Sequence, residues 1–546
     1  MRKLSLVAAI ALTLCACETA PQKSSVETAR AGAGAHSIDA IKTIVVIYAE
    51  NRAFDNLYGS FPGANGLQNV TAEQAQQRDR NGSVLTTLPP VSGKGLTDPS
   101  DPKEITSEAT AGHPNQPFAL DDPKGYGVGL DYRLHDLVHA FYQNQMQING
   151  GRNDMFAAYS DAGGQVMGHF DGSKMALWQI AKKYTLADNF FQGGFGGSFF
   201  NHQYLICACA PIDYQAKNDP HKYRDAISAV NADGVSLKAD PETPESAVQG
   251  PPKWLHYGVL TPDFYAVNTM QPPYQPSGSL APKGGDWRYA DTDALNTLTP
   301  QLLPTIGDRL SDANVNWAWY SGGWKNAIVA NEALRRYLES KGSEAFNWPE
   351  AAAGGATMAH VQFQYHHQPF NYYANFAPGR PARAEHLLDG GLDGVKFIAD
   401  IDAGKLPAVT FYKPQGSQNQ HAGYATISEG DAHIANVIAH LEKSPQWANM
   451  VVIITYDENG GWWDHVAPPK GDRWGPGSRI PALIVSPFGR RGYVDHTSYD
   501  TGSIQRLINH RFGLPPLPGI EQRDAALRAN GQKPMGDLTE ALNLGH

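Results

Sequence analysis

The chain has 546 residues, of which 41% are hydrophobic and only 18% charged, against a usual charged share of about 25%. Its 55 glycines and 38 prolines reach about 17% of the chain, above a usual sum of about 12%. That composition describes a loop-rich globular protein with ample core, and it excludes a coiled coil, a disordered tail protein and a collagen-like chain. The net charge of −10, without a run of like charges, repels polyanions and excludes a nucleic-acid binder that relies on the phosphate backbone. A small phosphorylated substrate remains compatible, because a metal ion or a few histidines can reverse the local field.

The basic head Met1-Arg2-Lys3 and the apolar run Leu4–Cys15 have the form of a signal peptide over residues 1–17, too short for a membrane-spanning helix. Leu14-Cys15-Ala16-Cys17 before polar Glu18-Thr19 resembles a lipoprotein box with Cys17 as a lipid anchor; ordinary cleavage at nearby small residues is the alternative. Either reading expects export to the periplasm, the outer membrane or the medium of a bacterium. Residues 18–37 read as a flexible leader. Cys207 and Cys209, two apart in an apolar segment, are expected as buried thiols.

From Ile38 onward the pattern is that of one α/β catalytic domain, 38–546. Ile41–Tyr48 is a β-branched apolar run of the kind buried on both faces of a parallel sheet, and similar runs follow at Asn316–Tyr320, Ala408–Tyr412, Met450–Tyr456 and Ile480–Val485. Ile434, Val437, Ile438 and Leu441 at helical spacing predict a helix over Asp431–Lys443, with Ser428 or Asp431 placed to cap it and Pro445 beyond its end. Strand, helix, strand within one crossover span means a central, mostly parallel sheet between helical layers. Residues 59–123 and 210–295 lack periodicity and read as loop insertions around an active-site rim.

Ligands of such sheets bind at the carboxyl edge. Two strands end there in acid and amide side chains: Tyr48-Ala49-Glu50-Asn51, and Tyr456-Asp457-Glu458-Asn459-Gly460-Gly461. Oxygen-rich ends of this kind suit a hard or borderline divalent cation. Ser198 closes Gly193-Gly194-Phe195-Gly196-Gly197, where glycines let the backbone approach a ligand and a helix start aims N–H groups at an anion. The serine is the candidate nucleophile. It does not match the G-x-S-x-G elbow, which disfavours a hydrolase triad. Among 19 histidines, His113, the pair His366-His367 and His421 stand in the most suggestive settings; His465 and His496 also follow strands.

Glu50-Asn51-Arg52-Ala53-Phe54-Asp55-Asn56-Leu57-Tyr58-Gly59 resembles the opening motif of the bacterial phosphoesterase family, which joins phospholipases C with a type of acid phosphatase. Tyr365–Tyr373 and Thr455–Val466 are similar to its middle and late motifs. The resemblance, covering about Ile38 to Pro518, implies an alkaline-phosphatase-like fold. It also implies one divalent metal ion (zinc, calcium or iron) held by Glu50, Asn51, Asp457 and Glu458. Ser198 would then form a phosphoseryl intermediate, with His113, His421 and one of His366 or His367 on the phosphate oxygens or the leaving group. The phospholipase branch typically shows Asp-Glu-Asn-Asp-Gly-Phe-Phe-Asp-His and a threonine nucleophile. Here Asp457–His465 reads Asp-Glu-Asn-Gly-Gly-Trp-Trp-Asp-His and the nucleophile position is Ser198. The expectation is therefore an acid phosphatase with an acidic optimum from protonated histidines. A phospholipase C acting on phospholipid diesters is the alternative, and a non-catalytic metal-binding lipoprotein is the reading from another class.

Overall fold

The computed structural model describes residues 37–92, 105–282, 284–341 and 362–544. The leader with Cys17 lies outside the described residues, as do residues 93–104 of the first insertion. Eight strands, β1 (Thr43–Ala49), β2 (Thr185–Ala187), β3 (Trp317–Ser321), β4 (Leu387–Asp389), β5 (Val409–Lys413), β6 (Met450–Tyr456), β7 (Ala482–Val485) and β8 (Tyr493–Asp495), form one sheet in the order β8-β2-β7-β6-β1-β5-β3-β4. All are parallel except β7, which runs against both β2 and β6. Every residue of β1, β5 and β6 is buried. This is what continuous Ile/Val runs demand, since each such side chain removed from water contributes about 1.5–3 kcal/mol. The five expected strands are present to within two residues at their ends, and β6 matches residue for residue.

Helices surround the sheet, among them α1 (Phe54–Tyr58), α2 (Ala176–Lys183), α3 (Ser198–Cys207), α4 (Ile427–Leu441) and α5 (Thr501–Phe512). The start of α4 differs from the sequence expectation. Thr426 caps it by accepting from Glu429 N while Glu429 reaches back to Thr426 N, a capping box. Asp431 instead sits one turn inside and caps a different helix: its carboxylate accepts from Ala176 N at 2.7 Å and Leu177 N at 2.9 Å, the free N–H groups at the start of α2. Among the described residues, 59–92, 105–123 and 210–295 hold only short helical turns, one two-residue strand and isolated bridges. No helix among the described residues is long and apolar enough to cross a membrane.

Cys207 and Cys209 are joined in a disulfide, not left as thiols. The helix α3 ends at Cys207, and Ala208 turns into the left-handed region (φ 50). The turn brings the two Cα atoms to 5.1 Å, inside the usual range for a disulfide. Sequence separation alone does not show that turn.

Candidate active site

Parallel pairing of β1 with β6 places Ala49 beside Tyr456, so the two acidic strand ends emerge together. Asp457 N donates to Ala49 O at 3.1 Å and Glu50 N to Asn419 O at 2.9 Å. Asn51 adopts a left-handed backbone (φ 61), a conformation asparagine tolerates better than most residues, and its N–H donates to Asp457 Oδ1 at 3.0 Å. Gly460 packs so closely that a Cβ there would lie 2.3 Å from Asn51 O.

Ser198 is the first residue of α3, with its Oγ 3.2 Å from Glu50 Oε2 and 3.3 Å from Asn51 Oδ1. The glycine loop before it is held from inside. Asn201 Oδ1 accepts from Gly194 N at 2.9 Å, and its Nδ2 donates to Gly194 O and Gly196 O at 3.1 Å each. Gln192, fully buried, accepts from Asn459 N at 2.9 Å and donates to Gly194 O at 2.9 Å, linking the serine loop to the Asp457–Asn459 turn. Ser198 thus lies at the positive end of a ten-residue helix, where partial charge and free N–H groups favour an anion. It opens onto a cleft of about 590 Å³ lined by Leu137, His139, Tyr257, Val259, His366 and His421 among others.

Glu50 is the electrostatic centre. Its Oε1 is contacted by the buried ammonium of Lys413, the last residue of β5, and lies 2.8 Å from His367 Nε2; His421 Nε2 stands 3.9 Å from Oε2. Burial opposes ionisation of Glu50, but Lys413 and His367 outweigh it and hold the carboxyl well below its ordinary range. The other pair goes the opposite way. Burial, with Glu50 as a neighbouring negative charge, pushes Asp457 up to about 7, and burial together with Asp457 raises Glu458 well above normal. His139 turns Nδ1 to Leu137 O and places Nε2 3.4 Å from Asn51 Nδ2 and 3.7 Å from Glu458 Oε1. Although burial works against its charge, Glu458 and Asp136 raise His139 to about 10. Burial pushes His202 and His366 well below the ordinary imidazole value and His367 down to about 4.

The donors fit a cation. Asp457 Oδ2 and Glu458 Oε1 are buried without a hydrogen-bond partner among the described residues, although buried carboxylates ordinarily have one. Glu50, Asn51, Asp457 and Glu458 offer only oxygen, the set preferred by hard or borderline divalent ions. A second grouping, Glu50, His202 and His367, brings one ligand atom each within 4.8 Å, but Lys413 already occupies the Glu50 oxygen that His367 faces. A third, Asp136, His139 and His421, sits at the cleft mouth.

The structure therefore brings together Ser198, Glu50, Asn51, Asp457, Glu458, His421 and both members of the histidine pair, His367 on Glu50 and His366 on the cleft wall. It does not bring in His113. That ring packs between Phe118 and Tyr126, at 5.0 and 5.7 Å between centroids, and does not line the cleft; an aromatic setting beside a proline drew attention to packing, not chemistry. Sequence reasoning missed Lys413, His139 and His202. Lys413 closing an apolar strand was the legible signal, since a lysine is rarely fully buried without a partner.

Compared with models of protein families, the chain matches the Phosphoesterase family over residues 41–515. The chain belongs to the phosphoesterase family. This phosphoesterase is accordingly a hydrolase of phosphoric esters. It is 23% identical over 537 residues to "Phospholipase C A" of Mycobacterium tuberculosis, covering 92% of this chain and 77% of that protein. It is 29% identical over 540 residues to "Non-hemolytic phospholipase C" of Burkholderia pseudomallei, covering 92% of this chain and 59% of the other. Among solved structures, a protein in the alkaline phosphatase superfamily from Vibrio parahaemolyticus is similar at 9% identity and a TM-score of 0.30, over 66% of this chain and 65% of that one.

Proposed function

We propose that this phosphoesterase cleaves phosphodiesters of the phospholipid type, as the names of its relatives suggest, through a phosphoseryl intermediate on Ser198. The observation that carries the reading is the position of Ser198 Oγ: at a helix N-terminus, against Glu50 and Asn51, on the floor of an open cleft. In the first step Ser198 Oγ gives up its proton and bonds to phosphorus, the bond to the leaving alcohol breaks, and the alcohol oxygen takes up a proton in return, so the step is proton-neutral. The N–H groups of the α3 terminus face the charge that builds on the phosphoryl oxygens. His139, held protonated, and His421 and His366 on the cleft wall are placed to bind those oxygens or to supply the proton. Water then attacks phosphoserine and frees the serine. Glu50, Asn51, Asp457 and Glu458 would hold a divalent ion, which when bound lowers the pKa of an adjacent hydroxyl and screens phosphoryl charge.

The expected acidic optimum rests on protonated histidines, and burial works against that charge in His366 and His367. Phosphomonoester hydrolysis is the second reading, favoured by Ser198 in place of threonine and by Gly460-Gly461-Trp462-Trp463 in the late motif. The test assays p-nitrophenyl phosphorylcholine and p-nitrophenyl phosphate in parallel from pH 4 to 9, on protein stripped by chelator and resupplied with single metals. Preferred diester turnover, abolished in Ser198→Ala, supports the proposal. Preferred monoester turnover peaking in acid moves the chain to the second reading, and activity surviving Ser198→Ala overturns the intermediate.

A further inference from the structure

One group of acid and imidazole side chains lies apart from Ser198. Asp55, Asp464 and His465 are buried and bring one ligand atom each within 4.8 Å. By donor set alone this is a metal site, but a cation of the chain itself fills it. Arg479, 0% exposed, donates Nε to Asp464 Oδ1 at 2.9 Å and Nη2 to Asp55 Oδ1 at 3.0 Å. Its Nη1 donates to Asn65 O at 2.6 Å and Asp188 O at 2.8 Å. The remaining carboxylate oxygens are taken as well. Asp464 Oδ2 accepts from Asp55 N at 3.0 Å, while Asp55 Oδ2 accepts from His465 N at 2.9 Å and lies 2.6 Å from His465 Nδ1. Burial opposes the charge on Asp55, yet Arg479 and His465 outweigh it and hold that carboxyl below its ordinary range.

The segments so joined are those that carry the candidate site. Asp55, in the first turn of α1, follows Glu50 and Asn51 after β1; Asp464 and His465 follow Asp457 and Glu458 on the loop after β6. The backbone around Arg479 holds the third. Gln192 N donates to Ser478 O and Gly477 N to Gln192 O, both at 3.0 Å, and Ile480 N donates to Phe190 O at 2.8 Å, along the lead-in to the Ser198 loop. The guanidinium carbon also lies over Phe54, 4.2 Å from its ring centre. A planar fork with donors fixed in direction can hold two carboxylates in one geometry, which a point charge cannot.

We propose that Arg479 is a positioning residue of the phosphoesterase site, fixing through Asp55 and Asp464 the spacing between the Glu50–Asn51 end, the Asp457–Glu458 end and Ser198. The inference rests on the proposed use of those residues. The test compares wild type with Arg479→Lys, which keeps the charge and loses the fork, and with Asp464→Asn, which is isosteric and weakens one arm. For both, ester hydrolysis is measured as kcat and KM, divalent-metal affinity by calorimetry on the stripped protein, and folding by thermal midpoint and circular dichroism. Arg479→Lys is expected to lower kcat about 100-fold with little change in KM, since a misplacement of about 1 Å costs that much, and to weaken metal binding about tenfold, as removed supports of metal ligands do. Asp464→Asn moves both in the same direction by less. Folded variants with wild-type kcat and metal affinity overturn the proposal, as does a lowered thermal midpoint with both constants unchanged. If Arg479→Lys does not fold, Asp464→Asn decides. If wild type turns over neither ester, the functional reading fails, and the metal titrations still decide whether Arg479 positions the donors.

Discussion

Replacing Lys413 by methionine removes one charge from the centre of the site while keeping most of the side-chain volume. In the folded chain the ammonium is fully buried, contacts Glu50 Oε1 and lies 5.2 Å from the Tyr48 ring centre. The other group on that oxygen, His367, is pushed down to about 4 by burial and by Lys413 itself, so in the wild type the lysine is the fixed cation there. Breaking a buried pair by deleting one partner costs about 3–5 kcal/mol, a large share of a typical folding stability of about 5–15 kcal/mol. The cost has a definite pH dependence. Glu50 is held below its unfolded value of about 4.3, so in wild type it contributes stability above that pH and loses it as pH falls through the folded value. In the variant, burial raises Glu50 instead, and shedding its charge by taking a proton costs less at pH 5 than at pH 7.5. Urea unfolding followed by tryptophan fluorescence, with chelator present so that no bound ion takes over the lysine's part, should show the full loss at pH 7.5 and a smaller one at pH 5. A cost below about 1 kcal/mol at pH 7.5, or an equal cost at both pH values, would refute the reasoning, because a buried carboxylate left unpaired must show one or the other.

Asp431→Ala should lose about 0.5–2 kcal/mol through the uncapped start of α2 with ester turnover unchanged, which urea unfolding and a rate assay check together. Gly196→Ala places a side chain at φ +85 with its Cβ 2.3 Å from Phe141 N. The conformation alone costs about 1–2 kcal/mol, and both the thermal midpoint and kcat should fall as the Ser198 loop is displaced. Chelator should lower the thermal midpoint and resupplied metal restore it, by about 2.7 kcal/mol of stability at a metal concentration 100 times Kd. Asp457→Asn should reduce that response sharply, and an unchanged response would remove Asp457 from the metal donors.

Legibility in the sequence followed the length of the signal. The long buried runs gave β1, β5 and β6 because runs of four to six consecutive β-branched and aromatic residues suit a strand buried on both faces. The three-residue strands β2, β4 and β8 carry too few residues for any period to show, and their pairing partners lie far off in the chain. In the site, Glu50, Asn51, Asp457 and Glu458 were visible because each pair directly follows a readable strand. His139 was not: it sits in a loop without periodicity, and only the fold brings it to Glu458. His113 looked equivalent in sequence and proved to be packing. The start of α4 was misplaced for a related reason. Asp431 has a capping residue's chemistry, but the helix it caps is α2, some 250 residues earlier.

The reversal of β7 has a consequence for how the chain spends its length. Between two parallel neighbours the chain must travel back across the whole sheet, usually by a helix, before it can supply another residue to the ligand-binding rim. Because β7 runs the other way, Ala482 lies beside Thr455 near the carboxyl end of β6, and the chain needs no return crossing of the sheet to reach that point. Residues 457–481 are therefore one uninterrupted excursion on a single side of the sheet, delivering acids at its beginning and an arginine at its end. Insertions and deletions should be tolerated at the far ends of the crossovers but not in this excursion, where a change in length would shift acid and arginine relative to each other with no strand between them to absorb it.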